Sequence, residues 1–575
     1  MVTIKNWYKT LYHKMFHLDD RLLLIIAGSI AGICSGLAAV TLRLSLEFVL
    51  EWLHPFRHYW WAFVLPGIGA MLSSLYLDRI AREGAGHGVP EVIYAVSRYG
   101  GLLRFRSSYS RLISSLLTIG SGGSAGPEAP VVMSGSSIGS NIAKLLGLNE
   151  RQRITLVGCG TAGAIASIFN APIAGLVFSI EVILGEWKFV NIIPIAIAAV
   201  AGAEISNAII PEQVIFNHQL FQIGFPDIMA SVGLAVSTAI ISVLFTKALR
   251  QTGKFAKKSS FPLWVRAVVG GCTVGAIGMF MPVVLAEGYH FIQSMISGTF
   301  SMGIFITLVA VFAKIFATAM TLGWGGSGGI FAPCLVIGSL TGILFHKILF
   351  ILFPSAGVAS EGAYALLGMT GIISGVMQAP LTGIFLIAEI TGGYETMLPL
   401  IVVSSISSTM SHYIEPASFY FKELIERGQF LRPGTDARIL SDLNVSELID
   451  TGFIKVSENM VFREFIEIIK TSSQNFFPVI EDRTDDYKGV IQINAIRKFT
   501  LDPGMYDMIF LNQIMDTEVI TASLENDLQE VLDMMDINRM DSIPVVENDR
   551  FIGMISKTRI LDLYRRELIM QTSVR

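Results

Sequence analysis

Residues Gly120–Gly139 read GSGGSAGPEAPVVMSGSSIG. The run is small and apolar and holds one ionisable side chain, Glu128; the nearest charged residues along the chain are Arg111 and Lys144. A lone carboxylate in a membrane-like segment costs roughly 2.5–3.5 kcal/mol, so it is by default a functional-site candidate. Gly126 and the Pro127–Pro130 pair interrupt the backbone beside it, and a proline suits the first turn of a new helix. A broken helix at membrane depth is tolerated only where it is buried or lines a cavity. Its N-terminus then points unpaired N–H groups and the positive dipole end into that cavity. The chemistry this implies is anion binding, with the Glu128 carboxylate as a tethered competitor for the same place.

The rest of the chain agrees with a membrane setting. Of 575 residues, 52% are hydrophobic and 15% charged, against about 25% charged in ordinary globular chains. A net charge of −4 argues against nucleic acid as a partner. Cys34, Cys159, Cys272 and Cys334 lie in apolar segments without metal spacing and read as buried thiols; no metal site is expected. Met1–Asp20 carries Lys5, Lys9 and Lys14 but no apolar run followed by a cleavage site, so it reads as a basic cytoplasmic lead.

From Arg21 the chain is a series of apolar segments, several well short of the about 20 residues a crossing needs. Gly and Pro separate them, which points to re-entrant and discontinuous helices. Basic stretches at Arg98–Arg111 and Lys247–Arg266 are expected in the cytoplasm, and the loops Pro211–Asp227, Glu287–Phe300 and Pro354–Tyr364, free of Lys and Arg, outside. Both termini then lie inside, with the plasma (inner) membrane as the expected location.

Two repeats organise the sequence. GGSAGPEAP (Gly122–Pro130) matches GGSGGIFAP (Gly325–Pro333) at an offset of 203, and NAPIAGLVFSIEV (Asn170–Val182) matches QAPLTGIFLIAEI (Gln378–Ile390) at 208. Repeated halves with Gly/Pro breaks at matching places predict a transporter fold with its site between them. In the hydrophilic tail, Phe476–Ile496 resembles Ser542–Ile560. Each reads as strand, turn, strand, helix, preceded by an amphipathic helix at Val461–Thr471 or Leu528–Asn538.

Four motifs in order, GHGVPEV (Gly86–Val92), GPEAP (Gly126–Pro130), GGIFAP (Gly328–Pro333) and SFYFKEL (Ser418–Leu424), resemble the CLC family of chloride channels and chloride/proton antiporters. The tail resembles that family's paired CBS domains. The resemblance implies an all-α polytopic membrane domain at 21–430, with inverted repeats and broken helices. A cytoplasmic α/β CBS pair would follow at 440–499 and 511–568. It also implies a homodimer in the bilayer with one chloride pathway per subunit, Glu128 as the gating glutamate, and an anion site formed by His87, Gly126, Ala129, Ile330, Phe331 and Tyr420.

Three departures shape the expected function. His87 replaces the central-site serine of chloride-selective members. Pro127 stands where an arginine often precedes the gating glutamate. Val182 takes the place of the antiporters' inner proton-transfer glutamate, which leaves its neighbours Glu181 and Glu186 as candidate proton carriers. A passive, glutamate-gated anion channel is therefore expected, with a proton-coupled chloride or fluoride antiporter as the alternative. In the tail, Ala495 and Arg559 replace the ribose-binding acid of nucleotide-binding CBS units, so adenine nucleotide is not expected. Ser556 and Thr558 are the only nucleotide-site candidates left. A membrane hydrolase would need a nucleophile with its base, or HExxH, and neither occurs in the apolar part, so no catalytic residue or cofactor is expected. A cation transporter would place several Asp or Glu side chains in its core.

Overall fold

The computed structural model describes residues 20–84, 88–187, 189–210, 224–299, 302–355, 357–392, 396–427 and 448–572, apart from isolated positions in the last stretch. The chain falls into two units, Met1–Phe430 and Leu431–Arg575.

The first unit is helical and is built twice. Its first half contains α1 (Asp20–Leu53), α2 (Leu65–Leu75), α3 (Val89–Arg98), α4 (Ser107–Gly120), α5 (Glu128–Leu145), α6 (Glu150–Phe169), α7 (Pro172–Phe178, continued as a wider turn to Leu184) and α8 (Phe189–Ile209). The second half repeats the order: α9 (Phe225–Lys258), α10 (Leu263–Phe280), α11 (Tyr289–Ile296), α12 (Ile304–Gly323), α13 (Phe331–Leu352), α14 (Glu361–Met377), α15 (Pro380–Thr391) and α16 (Met397–Ile414). A further helix, α17 (Phe419–Glu426), ends the unit. Among the described residues, eight helices are long and apolar enough to cross a membrane, and the segments Pro172–Leu184 and Pro380–Thr391 are apolar but short. Helices of mixed length with breaks between them are what the Gly/Pro spacing predicts.

Close helix packing explains part of the glycine content. A side-chain carbon on Gly160 of α6 would lie 1.9 Å from the Gly135 carbonyl of α5, and one on Gly368 of α14 would lie 2.2 Å from the Gly338 carbonyl of α13. The same contact therefore recurs in both halves. Small residues let backbones approach where apolar burial gives no preference for protein over lipid.

Two expectations are corrected, and Arg111, within the stretch read as basic and cytoplasmic, is buried. It pairs with Glu83 at 3.6 Å and donates to the Gly84 carbonyl at 2.8 Å. Glu287–Phe300, read as an outer loop, contains the helix α11, whose apolar side chains Ile292, Met295 and Ile296 are buried. The four cysteines are free, but only Cys159 and Cys334 are fully buried; Cys34 and Cys272 are partly exposed.

The second unit contains two α/β halves. In the first, β1 (Val456–Ser457) lies parallel to β2 (Phe476–Ile480), which pairs antiparallel with β3 (Tyr487–Gln492). In the second, Ala522 makes the parallel bridge to β4 (Ser542–Glu547), which pairs antiparallel with β5 (Arg550–Ser556). The helices Phe462–Thr471 and Leu528–Ile537 cover the sheets where the sequence places amphipathic helices. The halves exchange their lead-in segments. Asp450, before the first half, pairs with Met554 on β5, and Asp516, before the second, pairs with Val490 on β3. Each of the expected units, 440–499 and 511–568, therefore contains a lead-in residue that pairs with the other.

Candidate functional site

The two repeats meet at their glycines. Gly126 and Gly329 form an antiparallel bridge, Gly126 N–H donating to Gly329 O at 2.8 Å and Gly329 N–H to Gly126 O at 2.7 Å. These residues are 203 apart, the offset of the sequence repeat, so a local two-fold axis runs through the bridge. The surrounding contacts obey it: Ser124 N–H donates to Thr321 Oγ1 at 3.0 Å, and Ser327 N–H to Thr118 Oγ1 at 3.1 Å.

Two helices start at this bridge. α5 begins with Glu128 behind Pro127, and α13 begins with Phe331 behind Ile330. Gly126, Ala129, Ile330 and Phe331 are thus brought together, Ala129 N lying 3.0 Å from where a Gly329 side-chain carbon would be. Ala129, Ile330 and Phe331 are buried, and the Phe331 ring packs on Phe169 and Phe178 at 5.3 and 6.3 Å. Two aligned helix starts in a buried place make an electropositive site without a fixed cation.

Glu128 is 1% exposed. Its carboxylate folds back over Gly126: a side-chain carbon there would lie 2.0 Å from Glu128 Oε2 and 2.9 Å from the Ala332 methyl. The carboxyl group therefore occupies the gap between the two helix starts. Tyr289 Oη donates to Glu128 Oε1. Glu128 Oε2 has no hydrogen-bond partner among the described residues.

Tyr420 is buried in the first turn of α17, whose cap Ser418 accepts from Phe421 N–H at 3.5 Å, and lies within electrostatic reach of Glu128. His87 lies outside the described residues. Its neighbour Gly88 has φ 85° and caps α3 beside the carbonyl of Ala129, so α3 also starts against α5. A cleft of about 180 Å³ runs past Phe419 to Gly325 and Gly326. Arg250, Lys254, Lys257, Arg266 and Arg427 line it against Glu423 and Glu426, giving it positive charge.

The remaining sequence candidates fall elsewhere. Glu181, expected as a candidate proton carrier, is a helix cap: its two oxygens accept from Leu381 N–H at 3.1 Å and from Thr382 N–H and Oγ1 at 2.8 and 2.7 Å. A carboxylate at a helix start satisfies donors that have no partner inside the helix. Val182 is buried, and Glu186 sits partly exposed in the turn after Leu184. In the tail, Ser556 Oγ accepts from Arg559 N–H at 3.2 Å, Thr558 is exposed, and Arg559 pairs with Asp450 at 3.4 Å. Tyr289 and Lys314 were missed by sequence reasoning. The available signal was a glycine, Gly88 and Gly288, at the same place in both halves.

Comparison with known proteins accords with this geometry. The family model described as voltage gated chloride channel matches residues 69–412, and a CBS domain model matches 511–566. The chain is 29% identical over 397 residues to the H(+)/Cl(-) exchange transporter ClcA of Vibrio cholerae, covering 66% of this chain and 83% of that protein. It is 27% identical over 552 residues to the chloride channel protein CLC-f of Arabidopsis thaliana, covering 83% and 69%. The fold matches the crystal structure of a slow cyanobacterial Cl-/H+ antiporter with a TM-score of 0.65 at 21% identity, over 72% of this chain and 99% of that one. The chain belongs to the voltage gated chloride channel (CLC) family, and is a multi-pass membrane protein of chloride transport.

Proposed function

We propose that the protein exchanges chloride for protons across the membrane, with Glu128 serving both as the gate of the anion path and as the outer proton carrier. The observation that carries this reading is the Glu128 carboxylate lying between the starts of α5 and α13. A carboxylate there competes with chloride for the same N–H groups and dipoles, and protonation releases it. Anion and proton are then alternatives at one place, which is the minimum needed for coupling. The H(+)/Cl(-) exchange activity in the name of the Vibrio cholerae relative, matched over 83% of its length, favours exchange over a channel. Ile330, Phe331 and Tyr420 would hold the central anion, and the basic cleft beside Phe419 would serve as its inner mouth.

A passive channel is the second reading, favoured by one observation. Val182 is buried where the family resemblance puts the inner proton-transfer glutamate, and Glu181 is engaged as a cap. Exchange then needs another inner proton route, for which Glu186 or an internal water chain is proposed. Reconstituted protein in planar bilayers separates the two readings. With symmetric chloride and a proton gradient, an exchanger reverses away from zero voltage. A reversal potential fixed at zero, and at the chloride Nernst value when chloride is graded, would make it a channel.

The resemblance also supports a homodimer with both termini in the cytoplasm of the plasma membrane. Exposed Ile173, Ile193, Leu381, Leu398 and Ile401 on α7, α8, α15 and α16 supply an apolar face for a second copy, which light scattering of the purified protein would detect. Lys257 and Lys258 in the last turn of α9 support placing that end in the cytoplasm.

A further inference from the structure

The chain Ala286-Glu287-Gly288-Tyr289 enters α11 through two left-handed residues, Ala286 at φ 49° and Gly288 at φ 82°. Such a bend in a non-glycine residue persists only where the surroundings enforce it. Here they do. Lys314 Nζ, fully buried on α12, donates to Val284 O and Ala286 O, both at 3.1 Å. Ala286 N–H donates to Gly122 O at 3.2 Å, from the stretch that leads into Glu128. A side-chain carbon on Gly288 would stand 2.8 Å from Val336 of α13. The first residue of α11 is thereby fixed, and that residue is Tyr289, whose hydroxyl reaches Glu128 Oε1.

The repeat explains why α11 arrives there. Gly88 packs on Met133 of α5, and Gly288 on Val336 of α13; Met133 and Val336 are 203 apart. The start of α3, preceded by His87, and the start of α11 are thus equivalent elements, each seated on one of the two helices that meet at the Gly126–Gly329 bridge.

We propose that Tyr289 is a positioning residue for the Glu128 gate, a latch whose hydroxyl holds the ionised carboxylate in the anion path until chloride or a proton displaces it. This rests on the reading of Glu128 as the gate. The titratable groups within electrostatic reach of Glu128 are Tyr289 and Glu287 from the α11 entry, Cys334 from α13 and Tyr420 from α17. Lys314 and Arg57 act electrostatically on Glu287, and Arg43 of α1 on Tyr289. Tyr289 is the member of this set whose hydroxyl bonds a carboxylate oxygen directly. A donor of this kind favours the charged form of its acceptor, so its removal should let acid open the path at higher pH.

The test is chloride efflux from vesicles containing the full-length protein, measured from pH 4 to 8. Tyr289→Phe keeps the ring and deletes one O–H. The expected result is several-fold faster efflux at pH 7 and an acid-activation midpoint about one pH unit higher, the low end of what a hydrogen bond to a charged group supplies. Tyr289→Leu should move the midpoint the same way. In a Glu128→Gln background, Tyr289→Phe should change nothing. A wild-type midpoint in Tyr289→Phe, or an equal effect with and without Glu128, would overturn the latch alone. A full wild-type pH response in Glu128→Gln by itself would overturn the gate, and the latch with it.

Discussion

Glu181 and Glu389 each close the start of the helix that carries the other. Glu181 accepts from Leu381 and Thr382 at the start of α15, and Glu389 from Ile173 and Ala174 at the start of α7, at 3.0 and 2.7 Å. They are 208 residues apart, so the pair is one contact made twice about the local two-fold axis. Two carboxylates that would otherwise be an expense at half-buried positions become the joint between α7 and α15.

Glu181→Gln and Glu389→Gln should therefore behave alike. Each should lower the thermal stability of the purified protein by about 1–2 kcal/mol, the range of a lost cap with charged character. Neither should move the reversal potential in a proton gradient. A shift in Glu181→Gln that Glu389→Gln does not share would return Glu181 to the proton route.

Gly126→Ala tests the docked position of the gate. The added methyl would occupy the place of Glu128 Oε2 and press on Ala332. Efflux at pH 7 should rise towards that of Glu128→Gln, with most of the acid activation lost. Efflux that stays low and pH-sensitive would mean that the carboxylate closes the path from another position.

His87, at the start of the α3 region, is proposed to set anion preference, since an imidazole titrates near neutrality. His87→Ser should change the chloride/nitrate permeability ratio. A ratio constant from pH 5 to 8 in both proteins would assign binding there to backbone N–H groups alone.

The tail should take up adenine nucleotide weakly or not at all. Arg559 occupies the ribose-acid position and is paired with Asp450. Calorimetry on the full-length protein with millimolar ATP should show no saturable heat. Micromolar affinity would contradict this.

The tail also shows what a sequence hides. Gly489 and Gly553 open the runs that read as nucleotide motifs, yet the structure gives them a packing role. A side-chain carbon at Gly489 would lie 2.4 Å from Asp516 O, and one at Gly553 2.5 Å from Asp450 O. The crossing lead-ins need that space, and no local periodicity reports a partner more than 25 residues away. In the membrane unit, the GGSAGPEAP and GGSGGIFAP repeats were legible because backbone breaks require Gly and Pro in both halves. The equivalence of α3 and α11 was not, since His87 and Glu287 share only the glycine that follows them. Tyr289 was lost with it: a segment without Lys or Arg reads as an outer loop, and charge placement cannot distinguish a loop from a short helix folded inward.

The Gly126–Gly329 bridge limits how the protein can move. Carriers assembled from duplicated halves commonly rock one half against the other. Here rocking would pull apart two peptide hydrogen bonds between buried glycines, where each orphaned group costs several kcal/mol. The halves are riveted at the point where a rocking carrier would hinge open. On the proposed reading, access to each side is then left to individual side chains, with Glu128 as the one that moves, while the scaffold around them stays still.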